Sequence, residues 1–108
     1  MDDREFQQRV DSALTQLYSR LVAASDAAAF EPDFQAGALS IEFDDPPAKF
    51  VISPNTPVHQ IWVSAHSRSF KLDWDDARSA FVLPETSQTL TELMETAIGQ
   101  QLGEEVTL

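Results

Sequence analysis

Eighteen carboxylates, two histidines and no cysteine set the chemistry open to this 108-residue chain. Carboxylates bind hard cations through oxygen alone, and on an open surface they do so weakly, with little preference beyond charge and geometry. The acids of interest form two groups. One comprises Asp3, Glu5, Asp26, Glu31, Asp33, Glu42 and Asp44, at the ends of a first helix and on the segment entering a sheet; the other comprises Asp73, Asp75 and Asp76. Glu31 and Asp33 share parity on extended chain and so point the same way. For any one of these residues the simpler reading is a solvated acidic face, and Asp2, Asp3 and Glu5 also suit the first turn of a helix, where carboxylates meet free N–H groups. Lys71, close in sequence to the second group, is expected to neutralise part of it.

Enzyme chemistry finds little support. Without cysteine the chain forms no disulfide and offers no thiolate to zinc or to an iron–sulfur cluster. His59 and His66 differ in parity, so they cannot share a strand face, and His66 is expected to point outward. There is no glycine-rich phosphate loop and no nucleophile elbow. Paired acid–base catalysis needs a cleft holding carboxylates of divergent pKa, whereas these acids belong to a ridge or an open sheet. The formal charge of −11 repels phosphate backbones, which argues against nucleic acid and leaves cations and basic protein patches as the natural partners. No run of 18 apolar residues occurs and the start, MDDREF, is charged, so the expectation is a soluble, cytoplasmic protein with no membrane association.

The residues that position these groups read as one domain over 1–108. Phe6, Val10, Ala13, Leu14, Leu17 and Leu21 recur at spacings of three and four, predicting a helix over 3–24 that ends before Pro32, with an alanine-rich stretch over 25–29. Alternation of Leu39, Ile41 and Phe43 against polar neighbours predicts a half-buried strand over 39–44, with a turn at Asp45, Pro46 and Pro47. Further short strands are predicted at 50–52, 60–66, 69–75 and 81–83, and 53–57 reads as a rigid proline loop. Thr89 and Glu92 have capping-box spacing ahead of a second helix that Gly103 closes, and Val106 to Leu108 forms an apolar tail suited to the groove between the helices. Two one-sided helices and a one-sided sheet hide their apolar faces best when both helices cover the same sheet face. On the strand over 60–66, Ile61 and Val63 then point inward and Gln60 and Trp62 outward. A solvent-facing tryptophan beside a glutamine able to donate and accept reads as a docking surface.

These features resemble a known family. SPNTPVHQIWVS at 53–64 is similar to the loop and third strand of frataxins, in which a TP or EP pair precedes an (H/K)Q(I/V)W(L/V) core. GALSI at 37–41, the Asp73-Trp74 pair, Thr89-Leu90 through Leu93-Met94, and QQLGE at 100–104 extend the likeness, the last to bacterial members. The resemblance implies an α+β two-layer sandwich, with N- and C-terminal helices on one face of an antiparallel sheet of five to six strands. It further implies an iron-binding donor or regulator in iron–sulfur cluster assembly, holding ferrous or ferric iron weakly on an acidic ridge and docking onto the cysteine desulfurase and scaffold protein. It is not implied to be an enzyme, weak ferroxidase activity aside; a partner-binding module without physiological iron is the alternative. A monomer, with iron-induced oligomers, is expected. Asp3, Glu5, Glu31, Asp33 and Asp44 fall on acidic positions of the family pattern, and Asp26 substitutes in part where Tyr18, Ser19, Val22, Ala23 and Ser25 replace acids late in helix one. Gln60 and Trp62 match the family's sheet-face contacts, and Asn55 is a conservative replacement beside them.

Overall fold

In the computed structural model, which describes residues 1–26 and 29–108, a long helix leads into a meander of strands and a second helix follows it. The elements are α1 (Asp3–Ser25), β1 (Phe30–Gln35), β2 (Ala38–Asp44), β3 (Pro47–Asn55), a 3-10 turn (Thr56–Val58), β4 (Gln60–Ala65), β5 (Arg68–Asp75), β6 (Ala80–Leu83), β7 (Gln88–Thr89) and α2 (Leu90–Leu102). All seven strands join one antiparallel sheet in sequence order.

Local chemistry fixes the helix ends. The Asp2 carboxylate caps α1 by accepting from the Glu5 N–H at 2.8 Å. At α2 the Thr89 hydroxyl accepts from Glu92 N–H (3.2 Å) while the Glu92 carboxylate accepts from Thr89 N–H (2.9 Å), completing the predicted capping box. These bonds, the backbone one foremost, together with Arg78, hold the Glu92 carboxyl below its ordinary pKa. Gly103, in the left-handed region at φ +70°, ends the helix. The stripes Phe6, Val10, Leu14, Leu17, Leu21 and Leu90, Leu93, Met94, Ala97, Ile98 are buried in one core with Leu39, Ile41, Phe50, Ile52, Ile61, Val63, Leu72 and Phe81 of the sheet. Both helices therefore lie on one face and leave the other open. The C-terminal tail runs back along α2: Leu108 N–H donates to Glu95 at 2.8 Å, and Val106 and Leu108 pack half-buried against the core.

Two features differ from expectation. The sheet has seven strands rather than five to six, because residues 30–35 pair with β2 as a true strand and 88–89 add a short rung beside β6. Pro32 is tolerated in β1 because that strand is the sheet edge, with one side free of ladder bonds. Nor does β3 stop at Ile52; it continues through Pro54 to Asn55. Beyond Ile52 it pairs with β4 alone, so it too behaves there as an edge that can hold a proline. The alanine-rich stretch expected after the first helix lies partly outside the described residues. Among the described residues no helix is long and apolar enough to cross a membrane.

Candidate functional site on the open sheet face

On β4, Ile61, Val63 and Ala65 are buried against the helices, which leaves Gln60, Trp62 and Ser64 on the uncovered face. Trp62 retains 38% of its surface exposed, the only tryptophan of the pair to stand open. Its neighbours on that face are Ser53 of β3 and Lys71 of β5, which pair with it in register. The indole is held on two sides. Its Nε1–H donates to Gln60 Oε1 at 2.9 Å, and Gln60 Nε2–H donates in turn to Asp73 Oδ1 at 3.0 Å. The Lys71 ammonium lies 4.9 Å from the ring centroid. Asn55 pairs with Gln60 in register at the end of β3, so all three residues expected to contact a partner share one patch.

Lys71 does not neutralise the second acidic group as expected. It makes no ion pair among the described residues and serves the tryptophan instead: it shares the open face with Asp73, but stands opposite Trp62, while Asp73 stands opposite Gln60 and accepts its hydrogen bond. The acids find other partners: Asp75 accepts from Ala77 N–H at 3.0 Å, and Asp76 accepts from Trp74 Nε1 at 2.7 Å and lies 3.7 Å from Arg9.

The expected metal ligands divide. Glu31 and Asp33 are exposed on β1, and Asp44, with Glu42, is exposed on β2. Glu31 stands directly opposite Glu42, an unfavourable like-charge pair that Lys49, 3.9 Å from Glu42, relieves in part. This acidic margin belongs to the same open face as Trp62, beyond β3. Asp3 and Glu5 lie at the N-terminal end of α1, where Asp3 contacts His59 Nε2 at 2.7 Å and Glu5 pairs with Arg9. Asp26 follows the other end of that helix, about 35 Å from Asp3 at 1.5 Å per residue. The six residues thus do not converge on one point, and among the described residues no group of three or more His, Asp or Glu side chains is arranged to hold a metal ion.

Of the two histidines, His59 keeps the helix-side parity of Ile61 and Val63, while His66 departs from strand parity. His59 (φ +52°) stacks on Phe6 with centroids 5.1 Å apart. His66 (φ +53°) lies just past β4 and turns to the helix side, edge-on to Phe50, with Nε2–H donating to the Ala97 carbonyl at 3.0 Å. A left-handed residue rotates the chain out of the two-residue alternation, so His66 is not on the outward face. The contacts of both rings join residues 16 to 56 positions apart, for which the sequence carries no local signal.

A family model described as Frataxin-like domain matches residues 1–104. The chain belongs to the frataxin family. Over 71 residues it is 31% identical to the iron-sulfur cluster assembly protein CyaY of Azotobacter vinelandii, a stretch covering 66% of this chain. That stretch spans 64% of the Azotobacter protein, less than two thirds of its length. Over 76 residues it is 30% identical to the protein of the same name from Tolumonas auensis, covering 70% of each. A solved frataxin from Psychromonas ingrahamii superposes with a TM-score of 0.85 over 99% of this chain and 97% of the other; at 21% identity that likeness speaks for the fold. In this frataxin-family sheet, the open face offers a fixed aromatic plate, a cation over it, amide groups beside it and a carboxylate margin. Such a surface can bind another macromolecule and attract cations.

Proposed function

We propose that the chain serves iron–sulfur cluster assembly as a docking module that meets the cysteine desulfurase and its scaffold through the Trp62 face, and that carries iron as weakly bound cargo on the β1–β2 carboxylates. The observation that carries the reading is the exposed Trp62 held by Gln60 and Lys71. An aromatic plate already ordered in the free protein loses little entropy on docking and makes an effective anchor. The names of the CyaY relatives support the setting. Glu31, Asp33, Glu42 and Asp44 supply oxygen ligands suited to weak binding of a hard cation. Docking without physiological iron is the second reading, favoured by the engagement of Asp3 with His59 and of Glu5 with Arg9.

Calorimetric titration of the chain against the cysteine desulfurase, with and without scaffold, tests the first part. Trp62→Ala should weaken binding at least about thirtyfold, or roughly 2 kcal/mol; unchanged affinity would remove Trp62 from the interface. Ferrous iron added to isotopically labelled protein should shift the amides of Glu31, Asp33, Glu42 and Asp44 first, and salt should weaken the effect, because exposed charges are screened over about 8 Å at physiological ionic strength. Shifts centred on His59 and His66 would place the metal on imidazole instead.

A further inference from the structure

The sheet is not fully paired along β5. Arg68 through Asp73 pair with β4 on one side, but on the other side β6 pairs only with Asp73, Trp74 and Asp75. Residues 68–72 therefore have a free edge, about 16 Å long at 3.3 Å per residue. No turn, loop or side-chain hydrogen bond reaches their backbone from that side among the described residues. In an antiparallel strand alternate residues direct both N–H and C=O to the same side, so this edge leaves unmet donors and acceptors.

The edge borders a groove of about 430 Å³ between β5 and α2. Phe70, Leu83, Leu93 and Ala97 give it an apolar lining. Its far wall is braced: Gln88 Nε2–H donates to Thr96 Oγ1 at 3.0 Å, and the Thr86 hydroxyl donates to Gln88 Oε1 at 2.9 Å. The charge runs against that of the whole molecule. Arg68, whose guanidinium lies 5.0 Å from the Phe70 ring centroid, has no ion pair among the described residues, nor has Lys71 at the rim; Glu85 is the one acid that lines the groove. In a chain of net charge −11, this is where an acidic segment is attracted rather than repelled.

We infer that the free edge at residues 68–72 and the groove beside it receive an extended acidic peptide segment of a partner protein, added to the sheet as a further strand. Main-chain hydrogen bonds to β5 supply the register, alternate apolar side chains enter the groove beside Phe70, the acidic residues between them point to the Lys71 face of the strand, and Arg68 at the end of the groove attracts the segment as a whole. The site lies apart from the β1–β2 carboxylates and does not depend on iron.

The probe is a capped hexapeptide alternating valine with glutamate, with a valine–lysine hexapeptide as control, titrated into the labelled full chain. The glutamate peptide should shift amides at residues 68–72 and in the facing turns of α2, and should slow hydrogen exchange at alternate amides of 68–72 at least tenfold. Arg68→Glu, a change at an exposed position, should weaken binding at least tenfold. Gln100→Trp, which narrows the groove from the exposed side of α2 without changing charge, should do the same. Lack of binding at millimolar peptide, or equal binding of the lysine peptide, would overturn the inference. So would free glutamate or inorganic phosphate shifting the same residues while the edge amides stay unprotected, since the groove would then be a small-anion pocket.

Discussion

Adjacent residues on β4 should respond oppositely to truncation. Ile61 is fully buried, and Ile61→Ala removes its methyl groups from the centre of the core and leaves a cavity, costing about 3.5 kcal/mol. Trp62 is larger, but its loss opens no enclosed space, since the side chain lies on a face that already meets solvent. What disappears is an exposed hydrogen bond to Gln60, a cation–π contact with Lys71 and cross-strand packing against Ser53 and Lys71, together about 1.5 kcal/mol. At this chain length a change of 1 kcal/mol moves Tm by about 4 °C. Trp62→Ala should thus lower Tm by about 6 °C and Ile61→Ala by about 14 °C, in thermal and urea unfolding followed by circular dichroism. A Trp62→Ala protein less stable than Ile61→Ala would mean that the tryptophan face is the core and would refute the assignment of the docking surface.

Thr89→Ala removes the hydroxyl half of the α2 capping box and should cost about 1 kcal/mol, seen as a fall of about 4 °C in Tm. Because the folded-state pKa of Glu92 is depressed, its contribution is fully present above the unfolded value near 4.5 and is lost as pH falls through the folded one. Urea midpoints measured between about pH 3 and 5 should accordingly fall less steeply for Glu92→Gln than for the native chain. Gly99→Ala would set a Cβ 2.9 Å from the Glu104 carbonyl oxygen, forcing the C-terminal tail off α2. Despite alanine's better helix propensity, that variant should lose about 1 kcal/mol and expose residues 104–108 to carboxypeptidase.

Much of the layout was legible because it depends on short-range geometry. The three- and four-residue spacing of Phe6 to Leu21 marks α1, the Thr89–Glu92 spacing marks the start of α2, and the alternation in 60–64 places Ile61 and Trp62 on opposite faces whatever strand lies beside them. Residues 30–35 and 53–55 were not legible as strands because their prolines are allowed only beside an unpaired edge, and edges exist only once the strand order is set.

The candidate site divides in the same way. Sequence alone determined that the chain is acidic, lacks thiolates, and turns Trp62 and Gln60 to one face, since composition needs no fold and strand parity needs only extended backbone. Tertiary structure decided the rest: that Lys71 covers Trp62 instead of neutralising Asp73, that Asp3 meets His59, that Asp26 lies a helix length from Asp3, and that β5 keeps a free edge beside α2. Each of these is a relation between residues brought together or held apart by chain reversals, and a reversal at a left-handed residue such as His66 resets side-chain direction in a way that no two- or four-residue period encodes.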